Sequence, residues 1–521
     1  MGTLLCFALS SCATKVKVRE EWSPAHGKPI PLGEAKRVWS EMRQGHAPGE
    51  ADLKLYNDSV RDVVVQVAKN WESGAGPSAL RTSEGEVGLR VSAPEVPGVA
   101  TAQEIVPADY VKVRRGLDAE SSVKGVGAPL IVRQPRRGDG CAIPETGLWV
   151  PVTALLNLDD PRSPVLELHD PTKRGRIPMG GTEFPLSANY TAAFARDFQD
   201  RQFQFENLSG LLRFEQFADR MGLYRVTPGH ADKEICIFVH GINSSPSTWD
   251  EVLNRLYGDP DIRDRYEFWT FGYPTGAPIP YMAAEFRRAI LEMLENRRQK
   301  GLGAPRITVV GHSMGGLLAK AATFSGGDAE WSKLFSVPLD QLDLSEADKT
   351  LLRRMFYFEP IPEIGRVVLC AVPHRGSKIA ANPGIKIIGG LVEVPTQLVV
   401  LTSDILTKSA DALTPAGLEF TRKSFNSIDQ LASEAWTTAE FLNKPLNPAV
   451  AYHSIIGNNR IASVPVEKSG DGVVPYSSSH IDGVESELVV RPSGHGVHRK
   501  GESIEEMARI LKLPAAVKGK R

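Results

Sequence analysis

Residues 307–316 read Ile-Thr-Val-Val-Gly-His-Ser-Met-Gly-Gly, and an apolar, helix-favouring run follows, Leu317-Leu318-Ala319-Lys320-Ala321-Ala322. The pattern is strand, sharp turn, helix, with Ser313 at the turn. It constrains the chain more than any other segment, because so abrupt a change needs glycine where the backbones meet. Gly311 and Gly315 flank the serine, at positions where a Cβ would clash with the adjacent strand and helix. A serine on such a strained turn has its Oγ pushed clear of its neighbours. The free N–H groups at the start of the following helix favour negative charge developing beside it. The bland alternative is a chance Gly-x-Ser-x-Gly in a loop, and the flanking strand and helix argue against it.

Upstream, Glu234-Ile-Cys-Ile-Phe-Val239 has the pattern of a buried strand and ends in His240-Gly241-Ile242-Asn243. A nucleophilic serine needs N–H donors aimed at the oxyanion of its tetrahedral intermediate. The expected donors are the backbone N–H groups of Met314, just after the serine, and of Ile242, with Gly241 allowing close approach. His240 is expected to pack this loop. Downstream, Asp471 lies between Gly470 and Gly472 after the strand-like run 451–457. His495 lies between Gly494 and Gly496 after the strand-like run 487–491, and a helix is expected over 503–513. Each candidate follows a strand, where open α/β sheets place ligands. The order serine, aspartate, histidine is that of the α/β-hydrolase arrangement. His498 is the rival base and Asp482 the weaker rival acid. His374 and Arg375, after a strand expected over 366–372, are assigned to the pocket wall or to loop hydrogen bonding. His495-x-x-His498 has no third ligand at suitable spacing, so no metal is expected.

With these segments in order, together with Val372-Pro373-His374-Arg375-Gly376-Ser377, the chain resembles α/β-hydrolases of the lipase and esterase kind, bacterial lipases and inositol-deacylase-like lipases among them. The resemblance spans about residues 231–515. It implies a doubly wound, mostly parallel sheet. It also implies acyl transfer by Ser313, His495 and Asp471 through an acyl-enzyme, without a cofactor. The expected substrate is a lipid or another apolar acyl ester. An acyltransferase or thioesterase would use the same residues. A non-catalytic surface lipoprotein that binds through a hydrolase scaffold is the alternative of another class, and it would be expected to have lost members of this set.

A length of 521 residues allows two or more domains with substantial cores. The formal net charge of −1, with no long basic stripe, gives no sign of a nucleic-acid partner. Of the five cysteines, Cys236 and Cys370 fall in expected buried strands, and the scattered set is no disulfide framework. The short apolar run Leu4–Leu9 ends in Leu9-Ser10-Ser11-Cys12, which resembles the lipobox of bacterial lipoproteins. Lipidation at Cys12 would hold the protein on a membrane surface, in the bacterial cell envelope and facing the periplasm.

The organisation expected is a signal segment over 1–12, a tether over 13–30, a helical hairpin over 31–75, a β-rich accessory region over 76–228 and the hydrolase over 229–515. Two insertions, about 325–362 and 377–448, exceed ordinary loop lengths. The second carries an apolar stretch, Ile385 to Leu401, and is expected to act as a lid.

Overall fold

The computed structural model describes residues 16–21, 29–72, 79–94, 96, 104–136, 143–201, 213–377, 392–423, 426–433, 435–460 and 464–514. The expected signal segment with Cys12, most of the tether and Ile385–Leu391 of the apolar stretch lie outside these residues.

A seven-stranded sheet forms the centre. Its strands are β1 (Gly222–Arg225), β2 (Glu234–Val239), β3 (Tyr266–Gly272), β4 (Ile307–His312), β5 (Ile364–Cys370), β6 (Ala451–Gly457) and β7 (Ser486–Val490). Their spatial order is β1-β3-β2-β4-β5-β6-β7. β1 pairs antiparallel to β3, and every other pairing in the sheet is parallel.

The central strands are apolar at nearly every position because both faces are covered. Ile235, Ile237, Val309, Val367 and Leu369 face a core built with helices α2 (Ile279–Gln299) and α3 (Met314–Ala321). Cys236, Phe238, Val310, Val368 and Cys370 face the opposite core, built with α1 (Asp250–Gly258) and α4 (Gly501–Lys512). This alternation is the period of a strand, and it makes the sheet doubly wound. The fold is that of an α/β-hydrolase.

The N-terminal region is β-rich. Its five-stranded sheet runs Arg90–Ser92, Val165–His169, Leu148–Asn157, Ala128–Gln134, Glu104–Pro107. The hairpin helices Gly33–Arg43 and Glu50–Glu72 do not stand apart from it. Trp39, Tyr56, Val60 and Val63 share one core with Leu130, Val150 and Leu156 of the sheet. β1 lies before residue 228 and is the edge strand of the hydrolase sheet.

Among the described residues both insertions carry helices, Asp328–Leu334 and Glu346–Phe356 in the first, Thr396–Lys408 and Pro415–Lys423 in the second. They pack on each other and on the α2/α3 face. Trp331, Leu334, Leu398, Leu401, Phe420 and Phe441 are buried in the same core as Leu317.

Candidate active site

β4 delivers the serine. Ser313 has φ 53° and ψ −125°, a conformation that side chains other than glycine rarely adopt, and α3 starts at the next residue. A Cβ on Gly311 would lie 2.5 Å from Gly316 Cα, and one on Gly315 would lie 2.3 Å from the Val239 carbonyl oxygen. Both glycines are therefore required by contact with the helix and with β2, as the spacing implied. Gly316 is a third such position, since its Cβ would lie 2.1 Å from Val372 Cγ2.

The structure brings Ser313, His495 and Asp471 together. Ser313 Oγ is 2.9 Å from His495 Nε2, and His495 Nδ1 is 2.8 Å from Asp471 Oδ2. The other carboxylate oxygen of Asp471 accepts the backbone N–H groups of Val473 at 2.8 Å and Val474 at 2.7 Å. Burial works to raise the Asp471 carboxyl, but the His495 imidazole and these N–H donors outweigh it and hold the group below the usual aspartate value. Asp471 is therefore a fixed, ionised acceptor for the Nδ1–H of His495. Gly457, at the end of β6, lets the two loops meet: a Cβ there would lie 2.6 Å from the Gly494 carbonyl oxygen and 3.0 Å from Asp471 Cβ.

The loop after β2 approaches from the other side. A Cβ on Gly241 would sit 2.9 Å from Ser313 Cβ. Ile242 follows directly, and Met314, as the first helical residue, has an N–H with no acceptor inside its own helix. His240 is buried, its Nδ1 is 3.0 Å from the Gly241 carbonyl oxygen, and it stacks on Tyr273 at 4.3 Å. Burial pushes His240 down to about 4, so it is neutral near pH 7.

The rival residues lie elsewhere. His498 sits in the turn Val497–Arg499, buried behind His312, with its Nε2 2.9 Å from Thr248 Oγ1. Asp482 has a side chain 93% exposed and pairs with His480 at 3.3 Å. His374 is buried, and neither of its ring nitrogens has a hydrogen-bond partner among the described residues.

Three features were not read from the sequence. His312 donates its Nε2–H to the His495 carbonyl at 2.8 Å. Thr248 holds His498, and the Val473 and Val474 N–H groups hold Asp471. The signal for His312 was its place inside the serine turn. Thr248 carries no local signal.

Residues 236–502, just over half of the chain, match the profile of the alpha/beta hydrolase family, and the chain belongs to that family. Among solved structures, it is similar to the mature lipase BlEst2 of Bacillus licheniformis, at 14% identity over 55% of this chain and 94% of that one, with a TM-score of 0.31. It is also similar to the lipase of Staphylococcus hyicus, at 14% identity over 55% of this chain and 93% of that one, with a TM-score of 0.32. At that identity and TM-score the likeness carries no weight for activity or substrate. No curated protein matches the sequence significantly.

Proposed function

We propose that the protein is a carboxylic ester hydrolase acting on lipid or other apolar acyl esters. The observation that carries this reading is the continuous hydrogen-bonded relay from Ser313 Oγ to His495 at 2.9 Å and from His495 to Asp471 at 2.8 Å. In the proposed reaction His495 Nε2 takes the hydroxyl proton as Ser313 Oγ bonds to the ester carbonyl carbon. The oxyanion forms between the Ile242 and Met314 N–H groups, at the start of α3. Asp471 orients the His495 ring and stabilises its charged form. His495 then protonates the departing alcohol, an acyl-serine remains, and water activated by the same imidazole releases the acid. The ester preference over other acyl compounds, the apolar substrate and attachment to a membrane surface through a lipidated Cys12 are parts of the same proposal.

The test is a panel of p-nitrophenyl esters of graded chain length, run with phospholipid and a thioester, alongside labelling with a fluorophosphonate. Ser313→Ala should abolish both turnover and labelling while the protein stays folded. Labelling that survives in Ser313→Ala would place the nucleophile elsewhere. A folded wild type that neither labels nor turns over any substrate would favour a binding module. Acyl transfer that exceeds hydrolysis when an alcohol is supplied would favour an acyltransferase.

A further inference from the structure

We infer that His312 is a positioning residue: by hydrogen-bonding the backbone carbonyl of His495, it fixes the loop that holds the His495 ring between Ser313 and Asp471. The inference rests on the proposed serine-hydrolase function.

The bond is direct. His312 Nε2 is 2.8 Å from the His495 carbonyl oxygen. A carbonyl only accepts, so His312 must carry its proton on Nε2. Few bonds separate that carbonyl from the His495 ring, whose nitrogens make the 2.9 Å and 2.8 Å contacts of the relay. Holding the carbonyl therefore limits how far the ring can drift. Because His312 immediately precedes Ser313 on β4, the serine and the histidine loop are tied to the same end of one strand.

The surroundings of His312 argue against mere filling. The residue is 2% exposed and its Nδ1 has no hydrogen-bond partner among the described residues. An apolar side chain would fill the space without that cost. One face of the ring packs against His498, with centroids 4.0 Å apart and planes at 37°. His498 is anchored in turn through Nε2 to Thr248 Oγ1 at 2.9 Å, and Trp249 packs against it at 4.8 Å. Gly241 lies close by, where a Cβ would come 3.1 Å from His312 Nδ1. His312 thus touches the serine turn, the histidine loop and the loop that carries Ile242. Burial, reinforced by the neighbouring His495, pushes its pKa down to about 3, so it stays neutral beside a ring that must become charged during turnover.

The test compares His312→Phe, which keeps the ring packing and removes the donor, with His312→Gln, whose amide can donate from a position near that of Nε2. A small displacement of a reacting group costs up to about 100-fold, so His312→Phe should lower kcat by about 10-fold to 100-fold with KM unchanged. His312→Gln should recover most of that loss. Where His312→Phe does not fold, His312→Met takes its place. A kcat in His312→Phe equal to wild type overturns the inference. So does an equal loss of kcat in both variants that follows an equal loss of Tm. A second readout needs no substrate: the low-field proton resonance of His495 Nδ1–H shared with Asp471, identified by its absence in His495→Gln. It should be shifted or broadened in His312→Phe and restored in His312→Gln, and an unchanged signal in His312→Phe overturns the inference. If wild type shows no turnover and no Ser313 labelling, the proposed function fails, while the resonance still decides whether His312 positions the loop.

Discussion

At the scale of single residues, the roles of the two C-terminal histidines follow from their neighbours. His495 faces Ser313 and Asp471, whereas His498 faces Thr248, Trp249 and His312. His495→Ala should lower kcat by about 10⁴-fold or more, on the scale of other triad losses. His498→Ala should spare most of kcat and instead lower stability by about 2–4 kcal/mol, because it empties a fully buried site. Steady-state kinetics and urea melts on both variants check this, and a reversal of the two patterns would assign the base to His498. Asp482→Asn should leave both quantities unchanged. Short-range spacing made Ser313, Asp471 and His495 legible, because each requirement is local: glycines around a tight turn, a carboxylate in a turn, a histidine after a strand. The Thr248–His498 bond joins positions 250 apart, and the His312–His495 bond joins positions 183 apart. No local pattern encodes such pairs, so they became visible only when the sheet brought the loops together.

At the scale of elements, the parallel strands were legible as apolar runs, and their ends were not. β5 was expected over 366–372 and spans Ile364–Cys370. The apolar run continues past its end, but Ala371 has φ 50°, which takes the backbone out of extended geometry before Val372. The second insertion shows the same limit. Its apolar character was legible, but not how much of it is core. On the helix Thr396–Lys408, Leu398, Leu401 and Ile405 are buried, while Val399 and Val400 are 54% and 52% exposed. Gln397 bonds the Tyr281 hydroxyl at 2.7 Å, near the start of α2 and therefore toward the edge of the sheet that carries Ser313. Deleting the whole insertion would strip the core, so the proposed lid role is better tested by Val399→Ser with Val400→Ser. Exposed apolar surface of this kind suits contact with an apolar substrate. The double variant should lower activity on long-chain esters relative to short-chain esters and leave Tm nearly unchanged. An unaltered chain-length profile would make this helix face irrelevant to substrate choice.

At the scale of the whole molecule, the N-terminal region and the hydrolase share buried surface. The helix Tyr190–Arg201 packs on α1, with Tyr190 and Phe194 rings 5.7 Å and 5.2 Å from Tyr257, and Thr191 Oγ1 donates to Asn254 Oδ1 at 2.8 Å. Sequence motifs marked out the hydrolase but not this joint, because aromatic residues on a helix look alike whether they fill one core or bridge two. Residues 229–514 produced alone would lose β1 and expose Tyr257, so they should be aggregation-prone where the full chain is monodisperse, as size-exclusion chromatography can check. The same joint contains a cavity of about 40 Å³ lined by Phe198, Arg201, Thr270 and Asp250. Asp250 is buried and its Oδ2 has no hydrogen-bond partner among the described residues, whereas the nearby Asp197 is paired with Arg201 at 2.7 Å. Burial, with Asp197 adding to it, raises the Asp250 carboxyl well above the usual aspartate value against the pull of Arg201 and Arg499. A carboxyl whose folded pKa is raised contributes stability that is present below its unfolded value, about 3.9, and is lost as pH rises toward the folded value. Asp250→Asn removes that dependence at nearly constant shape and leaves the Asp197–Arg201 pair in place. Relative to wild type, the variant should therefore gain stability as pH rises above about 4, by at most about 1.4 kcal/mol per pH unit until the folded pKa is reached. Urea midpoints for both proteins across pH 4–8 measure the difference. A difference that stays constant with pH would mean that Asp250 titrates normally and that its buried oxygen is served by solvent in the cavity.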